Sequence, residues 1–333
     1  MMRSLISSAV IVALISSACQ ADENSTACPA LCRCTHADDV QPHPPKNFDT
    51  GYLVDCRLVK TSRFPSGVDL PNETTVLDLA FNNITSLTTI DTLEFLLKLD
   101  LEANGMTTLE PSTFYNLPRL IELNLGYNNL SALPSGLFDK LLTLQVLKLN
   151  DNHLQQLPED LFKANTRIIE LDLSNNQLVH FSPEYLQSLA DLRVLRLAHT
   201  HMYALPTEAF NGARNIETLD LSHNAFDQVP IMSLFTLKDS LKELKLSGNQ
   251  IAILDEKSFK GLKALEKLEL CNMPHLVDIL QYAFADTTGL VELKVTDNPH
   301  LYYLDRQAFG SPYDHSNKSH LPKLRKVNLC DNR

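Results

Sequence analysis

His199 and His223 stand 24 residues apart in a chain of 333 residues, and His201 lies beside the first. Imidazole ligates metals when neutral and changes charge between about pH 5 and pH 8. If 24 residues are one turn of a repeating structure, the two backbones lie about 4.8 Å apart, as neighbouring strands do. Such a pair could form a pH-sensitive or metal-binding patch. The plainer reading, polar rim residues at a tolerant loop position, is the one the pattern favours. Cysteines are the second group with chemistry to offer: Cys28, Cys32 and Cys34 crowd into CPALCRC, and Cys56 follows in YLVDC. With His36 and His43 they could hold zinc. In an exported chain cysteines read first as crosslinks, and four of them leave three pairings open. Cys271 and Cys330 occupy one slot two turns apart, about 10 Å, which is too far for a direct disulfide.

No signature of catalysis accompanies these residues. The sequence has no H-E-x-x-H, no G-x-S-x-G, no phosphate loop and no dinucleotide fingerprint, so no enzyme and no cofactor is expected. Hydrophobic residues make up 44% and charged residues 21%, enough for a packed core. The net charge of −11 opposes nonspecific attraction to nucleic acid, whose phosphates demand a basic footprint. Residues 1–21 read as a cleaved secretory signal: Arg3, the apolar run LISSAVIVALI, then small residues around Ala18 and Ala21. That run is too short to span a bilayer, which needs about 20 residues. No later segment is long and apolar enough, so membrane anchoring would need a segment beyond residue 333.

The elements that position all of this are announced by an internal period. LDLEAN at 99–104, LNLGYN at 123–128, LKLNDN at 147–152, LDLSNN at 171–176, LDLSHN at 219–224 and LKLSGN at 244–249 share the template L-x-x-L-x-L-x-x-N-x-L. Its fourth position falls on Leu77, Leu99, Leu123, Leu147, Leu171, Leu195, Leu219, Leu244, Leu268, Leu293 and Val327, mostly 24 residues apart. L-x-L is a short strand with two leucines inward and the residue between them outward. One turn cannot bury its apolar side alone, whereas stacked turns can. The asparagines, from Asn82 to Asn332, sit where the chain leaves each strand, and their amides can satisfy backbone groups left open by the bend. Thr200 and Met273 interrupt that ladder and predict local irregularity. Phe114, Phe138, Phe162, Phe210, Phe235, Phe259 and Phe284, with Leu186 in one turn, predict a buried row on the back.

These repeats resemble the extracellular leucine-rich repeat superfamily in its 24-residue form, shared by Toll-type, Slit-like and neuronal adhesion proteins. The resemblance implies an α/β-type leucine-rich repeat solenoid, a curved horseshoe. A parallel β-sheet would line its concave face, with irregular or 3-10 segments on the convex one. It also assigns residues 22–73 to a short leader and a cysteine-rich N-terminal cap, with Cys28 paired to Cys34 and Cys32 to Cys56. Residues 74–333 become about ten complete repeats and a truncated eleventh without a C-terminal cap, which suggests a fragment. The stretch between Cys34 and Cys56, with QPHPPKN, is long for such a cap and predicts a flexible surface loop.

Function is then expected on the open face. The fifth template position carries Asp78, Asp100, Asn124, Lys148, Asp172, Arg196, Asp220, Lys245, Glu269 and Lys294, acidic early and mixed in sign later. With lysines and glutamates at the third position these form a polar sheet suited to another extracellular protein. Phe81 and Tyr127, at the eighth position with His199 and His223, are candidate rim contacts. Acceptor sequons at Asn24, Asn72, Asn83, Asn129 and Asn317 predict N-glycosylation. The reading is an extracellular protein-binding scaffold, the ectodomain or part of it of a cell-surface adhesion or receptor protein. The alternative is a soluble secreted binder, a ligand trap or pattern-recognition protein. Either places the chain outside the cell or on the outer side of the plasma membrane.

Overall fold

The computed structural model describes residues 28–36, 51–66, 69–312 and 321–332. The leader, Asn24, His43, Asn317 and most of the long stretch between Cys34 and Cys56 lie outside them.

The apolar template positions dictate a parallel-strand solenoid. Thirteen strands form one sheet, from Arg33–His36 and Tyr52–Asp55 through Thr74–Asp78, then one strand per turn to Lys326–Asn328. The first pair is antiparallel and every later pairing is parallel. Fourth-position residues pair with one another: Leu77 with Leu99, Leu99 with Leu123, Leu123 with Leu147, and so on to Leu293 with Val327. A one-residue slip would turn every leucine to solvent, so burial fixes this register. The fourth- and sixth-position leucines of turns two to nine, Leu99 and Leu101 to Leu268 and Leu270, are fully buried. Each contributes about 1.5–3 kcal/mol on leaving water.

The asparagine ladder stitches the turns together. Asn152 donates from Nδ2 to the carbonyls of Leu149, in its own turn, and Leu125, in the turn before, and accepts from the Leu130 N–H at 3.0 Å. Asn104, Asn128, Asn176 and Asn224 repeat the pattern. Thr200 keeps part of the pattern: its hydroxyl reaches the Leu197 carbonyl in its own turn, and its N–H and hydroxyl both lie 3.0 Å from the Asn224 amide oxygen in the next, but it makes no bond to the turn before. Met273 bonds through its backbone alone, its N–H to Asn298. The expected irregularity is absent from the strands, because three residues pair in register on both sides of each exception. Leucine burial outweighs one missing rung.

The back of the solenoid holds the aromatic row, with one correction. Phe114, Phe138 and Phe162 stack at 6.2 Å between successive ring centroids, and Phe284 stacks on Phe259 and Phe309. Phe235 is not in the row: it is 50% exposed and its neighbour Leu234 is fully buried instead. There a helical turn at Ile231–Leu234 runs into a 3-10 turn at Phe235–Leu237. Helical rotation of about 100° per residue exchanges the inward side chain, and the ring comes to rest against Gly261. A third short helical element, Pro183–Leu186, forms the back of the turn of Leu171. Two small parallel sheets on the flank were not anticipated: Ser86–Leu87 with Thr108–Leu109, and Ile253–Leu254, Asp278–Ile279 and Tyr303–Leu304.

In the cap, Cys28 is bonded to Cys34 and Cys32 to Cys56, and Cys56 joins the continuous core. All four thiols are consumed, which leaves none to ligate zinc. Cys271 and Cys330 are unbonded.

Candidate protein-binding face

The concave sheet presents the third, fifth and seventh template positions, and the strands set the side chains about 4.8 Å apart from turn to turn. At that spacing charged neighbours meet. Glu122 lies 2.9 Å from Lys98 and 3.9 Å from Lys148. Arg196 pairs with Glu170 and reaches Asp172 at 4.0 Å. Lys245 bridges Asp220 and Glu243, Lys267 extends that chain, and Lys294 meets Glu269 at 2.5 Å. Each partly exposed pair contributes at most about 1 kcal/mol to stability. Their effect is to hold long side chains in place rather than to hold the fold.

The fifth-position Asp and Asn residues have a second duty that the spacing did not reveal. The N–H two residues on donates to each: Ala80 to Asp78, Glu102 to Asp100, Gly126 to Asn124, Ser174 to Asp172 and Ser222 to Asp220, all at 3.0 Å. These are Asx turns that close the strand end. Asp100 and Asn124 are consequently buried, only 9% and 4% exposed, and Asn124 donates to Asp100 and Glu102. Burial raises the carboxyl pKa of Asp78, Asp100 and Asp172 above the usual value, against the pull of the backbone N–H each accepts. Among the described residues no cation lies within 4.0 Å of Asp100 or Glu102, which the Asn124 amide holds instead, while Arg57 pairs with Asp78 at 2.8 Å at the same end. Downstream, Glu102, Asn124, Lys148, Asn150, Glu170, Asp172 and Arg196 line one shallow polar hollow.

The rim has its own backbone rule. Phe81, Ala103, Tyr127, Asp151, Asn175, His199 and His223 all have φ between +53° and +58°, and Gly248 has +72°. The turn into the ladder asparagine requires the left-handed region, which Gly, Asn, Asp and His enter more readily than other residues. That requirement accounts for most of the column, His199 and His223 included. Their rings stack in parallel with centroids 4.2 Å apart. Burial, then the neighbouring His223, lowers the pKa of His199, and no group of three or more potential metal ligands occurs among the described residues. Phe81, Ala103 and Tyr127 do not fit the rule. Bulky side chains are strained there by about 1–3 kcal/mol, yet both rings are about half exposed. Arg57 lies over Phe81 with its guanidinium carbon 6.0 Å from the ring centre, and Asp151 beside Tyr127 raises the phenol pKa.

Comparisons with known proteins agree with this architecture. A family model described as Leucine rich repeat matches residues 94–154 and 142–202, and one described as BspA type Leucine rich repeat region matches residues 198–316. The chain is a leucine-rich repeat protein. Its solenoid is similar to Toll in the Toll–Spatzle complex of Drosophila, at 24% identity and a TM-score of 0.69 over 82% of this chain. The glycosylated form of that complex gives 0.67. A leucine-rich repeat protein of Leptospira interrogans is 28% identical with a TM-score of 0.60 over 76% of this chain. The chain spans 37% of the Toll chain and 60% of the Leptospira one. No curated protein matches it by sequence.

Proposed function

We propose that this chain is an extracellular protein-binding scaffold, the ectodomain or part of the ectodomain of a cell-surface adhesion or receptor protein. The observation that carries the reading is the concave sheet. It presents pre-positioned charged side chains from Lys98 to Lys294, tied in ion pairs across the turns, with strained aromatics on its rim. Ordered charges of both signs select and orient a protein partner more than they add affinity. Phe81 and Tyr127 supply the apolar anchors that such surfaces need. Two cap disulfides suit an oxidising compartment. The similarity to Toll, whose structure is that of a complex with Spatzle, supports a protein as ligand. Residues 1–21 act as the export signal, and Asn72, Asn83 and Asn129, all exposed, carry N-glycans in this reading. Among the described residues no helix is long and apolar enough to cross a membrane.

The test is a screen of the secreted chain against extracellular proteins, repeated with Glu170→Arg and Arg196→Glu. A partner retained by the native chain and lost by either variant, then recovered by the double exchange, is the expected result. Partners insensitive to every concave substitution, or a product that stays in the cytosol, would overturn the reading.

A further inference from the structure

The flank beyond the ladder changes character along the solenoid. In the early turns its outward pairs are Thr85 and Ser86, Thr107 and Thr108, Ser131 and Ala132, then Gln155 and Gln156, and single exposed apolar residues first appear midway, at Val179 and Tyr203. In the turns of Leu244, Leu268 and Leu293 the equivalent positions hold Ile253, Val277, Tyr302 and Tyr303, all exposed, with Tyr302 at 88%. The three-stranded flank sheet fixes their order. Ile253 pairs with Asp278 and Asp278 with Tyr303, while the N–H of Tyr302 donates to the Val277 carbonyl. One carboxylate, Asp278, therefore lies between Ile253 and Tyr303 in an otherwise apolar and aromatic strip.

That carboxylate has no cation of its own. Among the described residues no Lys, Arg or His nitrogen comes within 4.0 Å of Asp278, or of Asp305, which accepts the Tyr303 hydroxyl at 2.7 Å. Arg306, next to Asp305 in sequence, is exposed and makes no ion pair with either. Strand spacing of about 4.8 Å puts Asp278 one strand from the Tyr303 ring, so a cation over Asp278 could also reach the face of that ring. Aromatic faces attract cations within about 6 Å. The native chain carries a net charge of −11, which opposes a second copy and favours a basic partner.

We infer that this flank is a second docking surface, separate from the concave sheet, for a protein segment presenting a lysine or arginine between apolar side chains. The cation pairs with Asp278, and the apolar neighbours lie on Ile253, Val277 and Tyr302. Panning the intact, disulfide-bonded chain against a displayed random peptide library tests it. Enriched peptides should combine Lys or Arg with aliphatic or aromatic residues, and lose about tenfold in affinity, roughly 1.4 kcal/mol, against Asp278→Asn. They should lose as much against Tyr302→Ser, an exposed position where folding is not at stake. Glu170→Arg on the concave face should leave them unaffected, which separates this surface from the one proposed above. Absence of enrichment, enrichment without a cation, or binding indifferent to both flank variants would overturn the inference. So would self-association in sedimentation that Tyr302→Ser abolishes, since the occupant would then be a second copy.

Discussion

Replacing Asn152 with Ala isolates what the ladder contributes. The Asn152 amide has two hydrogens and one oxygen. Its Nδ2 lies 3.0 Å from the Leu125 carbonyl and 3.1 Å from that of Leu149, and its Oδ1 accepts from Leu130 at 3.0 Å. Three such bonds at about 0.5–1.5 kcal/mol each give a loss of about 3 kcal/mol. The Leu130 N–H is left with no acceptor in a buried site, which pushes towards the upper end of that range. Lys148→Ala, on the adjacent outward position, removes only a 3.9 Å surface ion pair and should change stability by less than about 1 kcal/mol. Urea unfolding of both variants, followed by circular dichroism, makes the comparison. A loss for Asn152→Ala no larger than that for Lys148→Ala would refute the claim that the ladder, rather than leucine burial alone, stitches neighbouring turns.

Two further outcomes follow from the same structure. Burial raises the folded-state pKa of Asp172 above the reference value of 3.8, so its contribution to stability is fully present below that value and is lost as pH rises through the folded pKa. Asp172→Asn, which keeps the Oδ1 that Ser174 donates to, should therefore gain on the native chain in urea midpoint between pH 3 and pH 7; a flat or falling difference would contradict the burial argument. Phe138→Ala should cost about 3–5 kcal/mol, because the ring is fully buried between Phe114 and Phe162, whereas Phe235→Ala should fall within about 1 kcal/mol of the native chain by the same measurement.

Much of the molecule was legible in the sequence because leucine spacing is a burial signal, and burial sets the register of every strand. The ladder from Asn82 to Asn298 was legible for the same reason: one residue type recurs at one offset. Phe235 misled because its offset from the next repeat matches Phe210 and Phe259, while the helical turn at Ile231–Leu234 rotates the chain by one position. The Asx turns were hidden for a different reason. Asp78, Asp100 and Asp172 alternate with Lys148, Arg196 and Lys245 in one slot, so the column reads as a recognition surface until the backbone donors are located. The left-handed rim did leave a trace, in Asp151, Asn175, His199, His223, Gly248, Asn272 and Asp297, residue types that tolerate positive φ.

These two columns differ in what the fold demands of them. Where the fifth position is Asp or Asn, the side chain closes its own strand end and is drawn inward, as Asp100 and Asn124 show. Where it is Lys148, Arg196, Lys245 or Lys294, the side chain cannot accept from the N–H two residues on, and it extends along the sheet to a carboxylate of a neighbouring turn. The cationic turns therefore give up the local Asx bond and hold an outward charge in exchange. Strain at Phe81 and Tyr127 follows the same logic, since Gly or Asn would serve the turn better. On the proposed reading, the positions where the local rule is broken, rather than positions that merely vary, are the ones offered to a protein partner.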